Sequence, residues 1–241
     1  MGCQLDESRN FVIASSVPGI LGVVPSRVQV RGVFPALSAT VIPHSQEIKF
    51  FRGDSFDIDV QVQDDYDPPN RVDISRSVMR FAAKLGFGNV PYGSTIGNSG
   101  AQILKKSYLA SEIEYVNEVN GQARLKIKKR DTLEHPTIPL IWDIELTSPV
   151  EHLTTLGTVR TSAGDPVIMG TAETDFSVVD LGDIIHVEGK HVLIIEVLSS
   201  HAIKTDFDGW AGGSGQDYNL YRGSSKTIAG GPWTCLGDVV I

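Results

Sequence analysis

The sequence predicts an all-β protein in which two small antiparallel β-sandwich or barrel domains follow an extended N-terminal arm. The 241 residues include 24 Gly and 12 Pro, which is typical of many turns between short strands. Several short segments alternate between apolar and polar residues, as half-buried strands do. The stretch 101–110 is the only helix that we predict. We assign residues 1–45 to the arm, 46–150 to a β-sandwich domain and 151–241 to a small β domain with a Gly- and aromatic-rich C-terminal segment.

The arm is too rich in proline to be a helix or a central strand, since it carries Pro18, Pro25, Pro35 and Pro43. It is also too apolar to be a free tail, because it contains Val28, Val30, Val33, Phe34 and Val41. We therefore expect the arm to pack on its own domain or on a neighbouring subunit, with Phe34 as a candidate contact residue.

The first domain is best predicted from KFFRGDSFDIDVQVQDD, residues 49–65. Apolar residues occupy every second position, at Phe56, Ile58, Val60 and Val62. This alternation indicates a strand with one buried face, and it places Asp57 and Asp59 on the wet face. The preceding tripeptide, Arg52 to Asp54, suggests either a receptor-binding loop or a tight turn. We favour the turn, because Gly53 supplies backbone freedom and Asp54 can cap it.

Further strands of this domain are predicted at 47–51, 77–85, 112–119, 122–128 and 138–147. The segment DDYDPPN, residues 64–70, is a cluster of turn-forming residues. Asn120-Gly121 is a strong hairpin signal, because both central residues of such a turn take positive φ. The pattern therefore predicts a sandwich of short strands.

The pattern of residue types in the sequence changes near residue 150. The segments LGDIIHVEG and KHVLIIEVLSS predict two strands around a turn at Gly189-Lys190. In this pattern His186 and Glu188 share a face with Ile184. From residue 208 onward the chain is rich in glycine and aromatic residues. These glycine-rich loops are either ordered by their aromatic rings or used for contact.

The order of these motifs resembles that of virion proteins of tailed bacteriophages. FRGDSFDIDVQVQDDYDPPNRVDISRSVMRFAAKLG resembles the opening of an N-terminal β-sandwich of baseplate proteins, and Trp142 to Leu146 is similar to its closing strand. The stretches 157–171, 181–189 and 192–200 are similar to a small β module of phage tail-fibre, neck and head-associated proteins. The resemblance covers about residues 49–205, and the first 45 residues match no pattern of this kind.

The resemblance implies a non-enzymatic structural component of the virion, an adaptor in the tail, baseplate or neck. It implies other virion proteins as partners, such as tail, baseplate, neck or fibre subunits, and a homo-oligomer within a symmetric assembly. Such a protein is assembled in the host cytoplasm, and it needs no cofactor or metal. Two alternatives are a glycan- or receptor-binding module at a fibre base and a capsid decoration, or cement, protein.

Other functions find less support in the sequence. The net charge of −8 disfavours nucleic-acid binding, which needs a concentrated basic face. No apolar run is long enough for a membrane span, and the two cysteines, Cys3 and Cys235, imply no disulfide framework. The only nucleophile-like pattern, Gly213-Ser214-Gly215, lacks the strand and helix that a nucleophile elbow requires. We therefore expect no catalytic residues.

Two groups of side chains resemble metal ligands. Asp64, Asp65 and Asp67 offer oxygen ligands for Ca²⁺, but no bidentate Glu follows at a defined spacing. His186, Glu188 and His191 surround a turn, without an identifiable carboxylate to orient the imidazoles. We predict no metal site in either group.

The C-terminal aromatic residues are the main candidates for contact with a partner. They are Trp210, Tyr218, Tyr221 and Trp233. Such rings form either a sugar-stacking platform or a protein interface, where Tyr and Trp are enriched. We favour the interface, and a glycan-binding module would instead form a shallow pocket rimmed by Trp210 and Tyr221.

Overall fold

A computed structural model describes residues 27–34, 44–45, 47–64, 66, 68–85, 102–107, 112–133, 135 and 140–236. The predicted all-β class is confirmed, since strands make up most of these residues. The described strands are β1 (Arg27–Phe34), β2 (His44–Ser45), β3 (Ile48–Phe50), β4 (Phe56–Asp64), β5 (Val78–Leu85), β6 (Gln102–Ser107), β7 (Ile113–Asn117), β8 (Gln122–Ile127), β9 (Leu140–Leu153), β10 (Val159–Ser162), β11 (Asp165–Gly170), β12 (Ile184–Val187), β13 (Lys190–Ser199), β14 (Ala202–Thr205), β15 (Gly213–Gln216) and β16 (Asn219–Cys235). The described helices are a 3₁₀ turn, Glu118–Asn120, and α1, Lys129–Leu133.

The strands form two sheets. The smaller sheet has the order β1-β4-β8-β7, and the larger has the order β15-β10-β11-β14-β13-β12-β16-β9-β5-β6. Most pairs are antiparallel, but β1 runs parallel to β4, and β2 and β3 run parallel to β16. The smaller sheet and the β3-β16-β9-β5-β6 part of the larger sheet enclose one hydrophobic core, here called the first core.

The alternation in β4 is confirmed. Phe56, Ile58, Val60 and Val62 are buried in the first core, whereas Asp57 and Asp59 lie on the partly exposed face. There the Arg124 guanidinium contacts Asp59 at 2.7 Å and Asp57 at 3.8 Å, across the β4–β8 ladder. The two aspartates thus form charge pairs on the wet face of the sheet.

Part of the predicted arm belongs to the first core. β1 pairs with β4 along its whole length, and its Val28 and Val30 side chains are buried. Strand β1 has one described strand partner, β4, which agrees with the expectation that this segment forms no central strand. The side chain of Phe34 and the remaining arm residues before Arg27 lie outside the described part of the chain.

The helix predicted at 101–110 is wrong, because residues 102–107 form β6 and pair with β5. The structure buries Lys106 almost completely, and its Nζ lies 3.0 Å from Glu112 and 2.7 Å from Asp131. These ion partners and the ladder to β5 are contacts with distant residues, and they override the local helix propensity of this stretch.

The chain returns to the first core at its C-terminal end. The boundary predicted at residue 150 falls inside β9, and β16 pairs with β9 from Leu220–Leu153 to Trp233–Leu140. A second core is built from residues 159–220, and it includes Phe176, Ile194, Trp210 and Tyr218. Trp233 and Cys235, by contrast, are buried in the first core. Strand β16 therefore contributes side chains to both cores.

Trp233 is the centre of an aromatic cluster in the first core. Its ring lies 4.8 Å from the ring centroid of Phe50, 5.3 Å from that of Phe81 and 5.9 Å from that of Phe56. Its indole N–H donates to Nε2 of buried His135 at 2.8 Å. Because Nε2 accepts this bond, His135 is neutral and carries its proton on Nδ1.

Replacement W233F should lower the free energy of unfolding by about 2 kcal/mol, because His135 loses its buried donor and the smaller ring leaves a void. Urea unfolding followed by circular dichroism measures this loss. Replacement Y66F, at an exposed ring, is the control and should change stability by no more than about 0.5 kcal/mol. Equal stabilities of W233F and Y66F would contradict the assignment of Trp233 to the first core.

Candidate interaction surface

The Arg-Gly-Asp tripeptide forms the predicted turn. The Asp54 N–H donates to the Phe51 carbonyl at 3.1 Å, and the Phe51 N–H donates to the Asp54 carboxylate at 2.8 Å. Gly53 has a φ of 85°, a conformation that glycine adopts without strain. The Thr132 hydroxyl donates to the Asp54 carbonyl, so the turn is tied to α1. The Asp54 side chain is therefore part of the turn itself.

The acidic segment after β4 is organised by Asp64. Its carboxylate accepts hydrogen bonds from the Tyr66 N–H, the Asn70 N–H and the Asn70 side-chain amide, at 3.2, 2.7 and 3.0 Å. Asp65 and Asp67 lie outside the described residues. Within the part of the chain that the structure describes, no three metal-ligating side chains come together.

The five predicted interface residues have different environments. Trp210 and Tyr218 are buried in the second core, and Trp233 is buried in the first. Tyr221 is half-buried, and the side chain of Phe34 is outside the described part. Three of the rings are thus buried inside their own chain, and we do not assign them to a partner surface. The sequence pattern did not distinguish rings that order a glycine-rich loop from rings that bind a partner.

Trp210 and Tyr221 do not share a pocket. Leu220 faces the second core with Trp210, whereas the next residue, Tyr221, packs beside Val78, Ile184 and Leu193. Successive residues of a strand point to opposite faces of the sheet. The two rings are therefore separated by the sheet, and the glycan platform considered from the sequence is not formed by this pair.

A buried carboxylate, Asp183, anchors the turn before β12. It accepts hydrogen bonds from the Asp180 N–H at 2.9 Å, the Gly223 N–H at 3.0 Å and the Arg222 guanidinium at 2.8 Å. Arg222 also pairs with Asp180. A Cβ atom at Gly223 would lie 2.1 Å from the Gly182 carbonyl oxygen, so only glycine allows this close approach. Asp183 thus fixes the turn against β16.

A second carboxylate, Glu188, anchors the loop that carries Trp210. It accepts hydrogen bonds from the Thr161 hydroxyl, the Gln216 amide at 2.8 Å and the Ala211 N–H at 2.9 Å. Burial raises the pKa of Glu188, but the bonds from Thr161, Gln216 and the backbone outweigh burial and lower it. Glu188 has a φ of 50° in the hairpin turn, so it does not follow the strand alternation that the sequence suggested.

The two hairpin histidines contact each other. His186 and His191 are cross-strand partners in the β12–β13 ladder, and their rings stack with centroids 4.3 Å apart and an angle of 19° between planes. A metal ion bound by both rings must lie in the plane of each ring, which two stacked rings do not permit. With Glu188 held by Thr161, the three residues considered as metal ligands do not converge.

The second half of the chain exposes a set of apolar side chains, here called the apolar patch. Two backbone hydrogen bonds hold the segment 176–182 beside β13. The Gly182 N–H donates to the Ile194 carbonyl, and the Phe176 N–H donates to the Ser200 carbonyl. Between these bonds, five apolar side chains are 38% to 69% exposed, and they define the patch: Val178, Leu181, Ile195, Val197 and Leu198. Groups of exposed apolar residues on neighbouring segments are typical of sites of contact with other molecules.

The apolar patch was not predicted from the sequence. A signal was present, because residues 192–198 read VLIIEVL and are apolar at nearly every position. A strand with one wet face should alternate, so a continuous run indicates that both faces are covered. The structure shows where the pattern breaks: the register of β13 against β14 shifts twice, between Ile194 and Glu196 and between Val197 and Ser199.

Compared with known proteins, the chain matches no family model, no curated protein and no solved structure. Among the described residues, no helix has the length and hydrophobicity needed to cross a membrane.

Replacement E188Q should lower the free energy of unfolding by about 1–3 kcal/mol, because an amide cannot accept all the bonds that the carboxylate accepts. The stabilisation by Glu188 should be complete above pH 4.5 and should be lost as the pH falls through the lowered pKa of the folded state. Urea titrations at pH 7 measure the loss.

The control for this variant is E196Q. Glu196 is exposed, and its contact with Lys204 at 3.7 Å is a surface ion pair of little energetic value. If E188Q and E196Q had the same stability, Glu188 would not anchor the loop.

Proposed function

We propose that the chain is a non-enzymatic structural component of a tailed bacteriophage virion, an adaptor in the tail, baseplate or neck. In this role it holds neighbouring rings or fibres through protein–protein contacts. The proposal is supported by the motifs that resemble those of baseplate and tail-fibre proteins, and by the apolar patch. Its partners are other virion proteins, and copies of the chain associate within a symmetric assembly.

The apolar patch is the observation that carries the proposal. Leu181 and Leu198 are about half exposed or more, at 69% and 47%, and they lie on adjacent segments that the backbone bonds of Gly182 and Phe176 hold together. A neighbouring subunit that covers this patch would remove the apolar area from water, which contributes about 25 cal/mol per Å². In a ring or fibre, several such contacts act together, so each can be weak.

The charged groups that are buried or partly buried are consistent with a structural role. Lys106 pairs with Glu112 and Asp131, and Asp183 pairs with Arg222. Glu188 accepts hydrogen bonds from a hydroxyl, an amide and a backbone N–H. These groups point into the fold, where their partners fix turns and strand ends.

Self-association tests the role of the apolar patch. The mass of the purified chain, measured by light scattering from sub-micromolar concentration upward, should rise to that of a defined oligomer. The double replacement L181E/L198E should shift this association to at least tenfold higher concentration, because the patch then carries charge. The control V150E changes an equally exposed apolar residue on β9 and should associate like the wild type.

A strict monomer at all concentrations would contradict the homo-oligomer. Association that L181E/L198E and V150E weaken equally would contradict the location of the interface. The virion assignment is tested independently by mass spectrometry of phage particles purified from cells that carry the gene. Absence of the chain from such particles would overturn that assignment.

A further inference from the structure

We propose that His186 and His191 form an acid-sensitive latch, which holds the β12–β13 hairpin against residues 76–78 at neutral pH and releases it when both rings are protonated. We call this pair the histidine latch. The inference goes beyond the structural role proposed above and does not depend on it.

The latch lies where the two cores meet. On the same face of the hairpin, Ile184 and Leu193 form the neighbouring cross-strand pair, and they pack with fully buried Val78 of β5. The latch continues this face toward the hairpin tip. Val78 belongs to a strand that also lines the first core through Met79 and Phe81, so this contact connects the hairpin to the first core.

Among the described residues, the side chains in ring contact with the stacked histidines and with their neighbour Tyr221 include no carboxylate to balance two new positive charges. His152 on β9 contacts the Tyr221 ring at 5.2 Å, and Tyr221 in turn lies 6.2 Å from the ring of His191. Asn219 of β16 is the strand partner of His186, and its side-chain oxygen contacts His152. None of these side chains is a carboxylate.

The remaining charged groups on these segments include Arg76, Asp73, Asp206, Lys190 and Glu188, whose carboxylate is held by Thr161, Gln216 and the Ala211 N–H. Asp73 accepts a bond from the Ser75 N–H, and Asp206 is held by Arg80 at 2.8 Å and the Leu193 N–H at 2.9 Å. Lys190 lies over the Phe207 ring. The positive charge of Arg76 disfavours protonation of both histidines. Two imidazolium rings about 4 Å apart repel each other by several times the thermal energy at an effective dielectric constant of about 20.

The pKa values support this account. Burial lowers the pKa of His191 to about 4, with smaller contributions from His186 and Arg76, and burial with Arg76 also lowers the pKa of His186. Both rings are therefore neutral at pH 7. Opening returns them toward the ordinary value of 6.5, so the open form takes up protons as the pH falls below 6.5. For His191 alone, this linkage increases the opening equilibrium about thirtyfold at pH 5.

Hydrogen–deuterium exchange of the full chain at pH 7 and pH 5, corrected for intrinsic exchange rates, tests the latch. The amide protection of peptides that cover 76–80 and 184–193 should be at least tenfold lower at pH 5 than at pH 7. Peptides that cover 165–170, in β11, should keep theirs and serve as the internal reference. The double variant H186Q/H191Q should show no selective loss, because its hairpin has no titrating ring.

The matched control is H152Q, which removes an exposed histidine outside the stack and should behave like the wild type. The proposal would be overturned by equal losses in the hairpin and β11 peptides, or by the same selective loss in H186Q/H191Q. If circular dichroism shows that the double variant is unfolded at pH 7, H191Q replaces it and should reduce the selective loss at least threefold. An unchanged loss in a folded H191Q would also overturn the proposal.

Discussion

The ladder between β9 and β16 is the constraint on which the rest of the structure depends. At one end of the ladder Leu220 enters the second core, and at the other end Trp233 enters the first. The register shifts between Arg222 and Gly223 and between Thr227 and Ala229, which lets the 17-residue strand follow both cores. Without this ladder, the Trp233 indole would no longer be held against Phe50, Phe56 and Phe81. The C-terminal segment is therefore part of the fold of the first half.

Two carboxylates, buried Asp183 and half-buried Glu188, complement the ladder in the second half of the chain. Asp183 fixes a turn to β16 through Gly223 and Arg222, and Glu188 fixes the Trp210 loop to β10 through Thr161. Carboxylates that accept several hydrogen bonds favour one geometry of the loops. The turn that Asp183 fixes also positions part of the apolar patch, because Leu181 lies within it, between Asp180 and Gly182. Rigid presentation of an apolar surface is what the proposed adaptor role would require.

The sequence predicted those features that short-range chemistry decides. The alternation of β4 and the Arg-Gly-Asp turn depend on neighbours within a few residues, and both are present in the structure. The helix at 101–110 was wrong because Lys106 finds its partners in Glu112, Asp131 and the β5 ladder. The core position of Trp233 is also set by long-range pairing, here with β9 and β3. A glycine-rich aromatic segment looks the same whether its rings order the chain or contact a partner. The patch at Leu198 was missed because strand register, which exposes it, is not local information.

The measurement that tests the central claim most directly uses the three tryptophans. The chain labelled with 5-fluorotryptophan gives ¹⁹F signals for Trp142 and Trp233 in the first core and for Trp210 in the second. If the β9–β16 ladder joins the two cores, all three signals should follow a single urea transition with one midpoint and one slope. A Trp210 signal that unfolds at a urea concentration where Trp142 and Trp233 remain native would contradict the account. The two cores would then be independent units, and the ladder would not be the constraint on which they both depend.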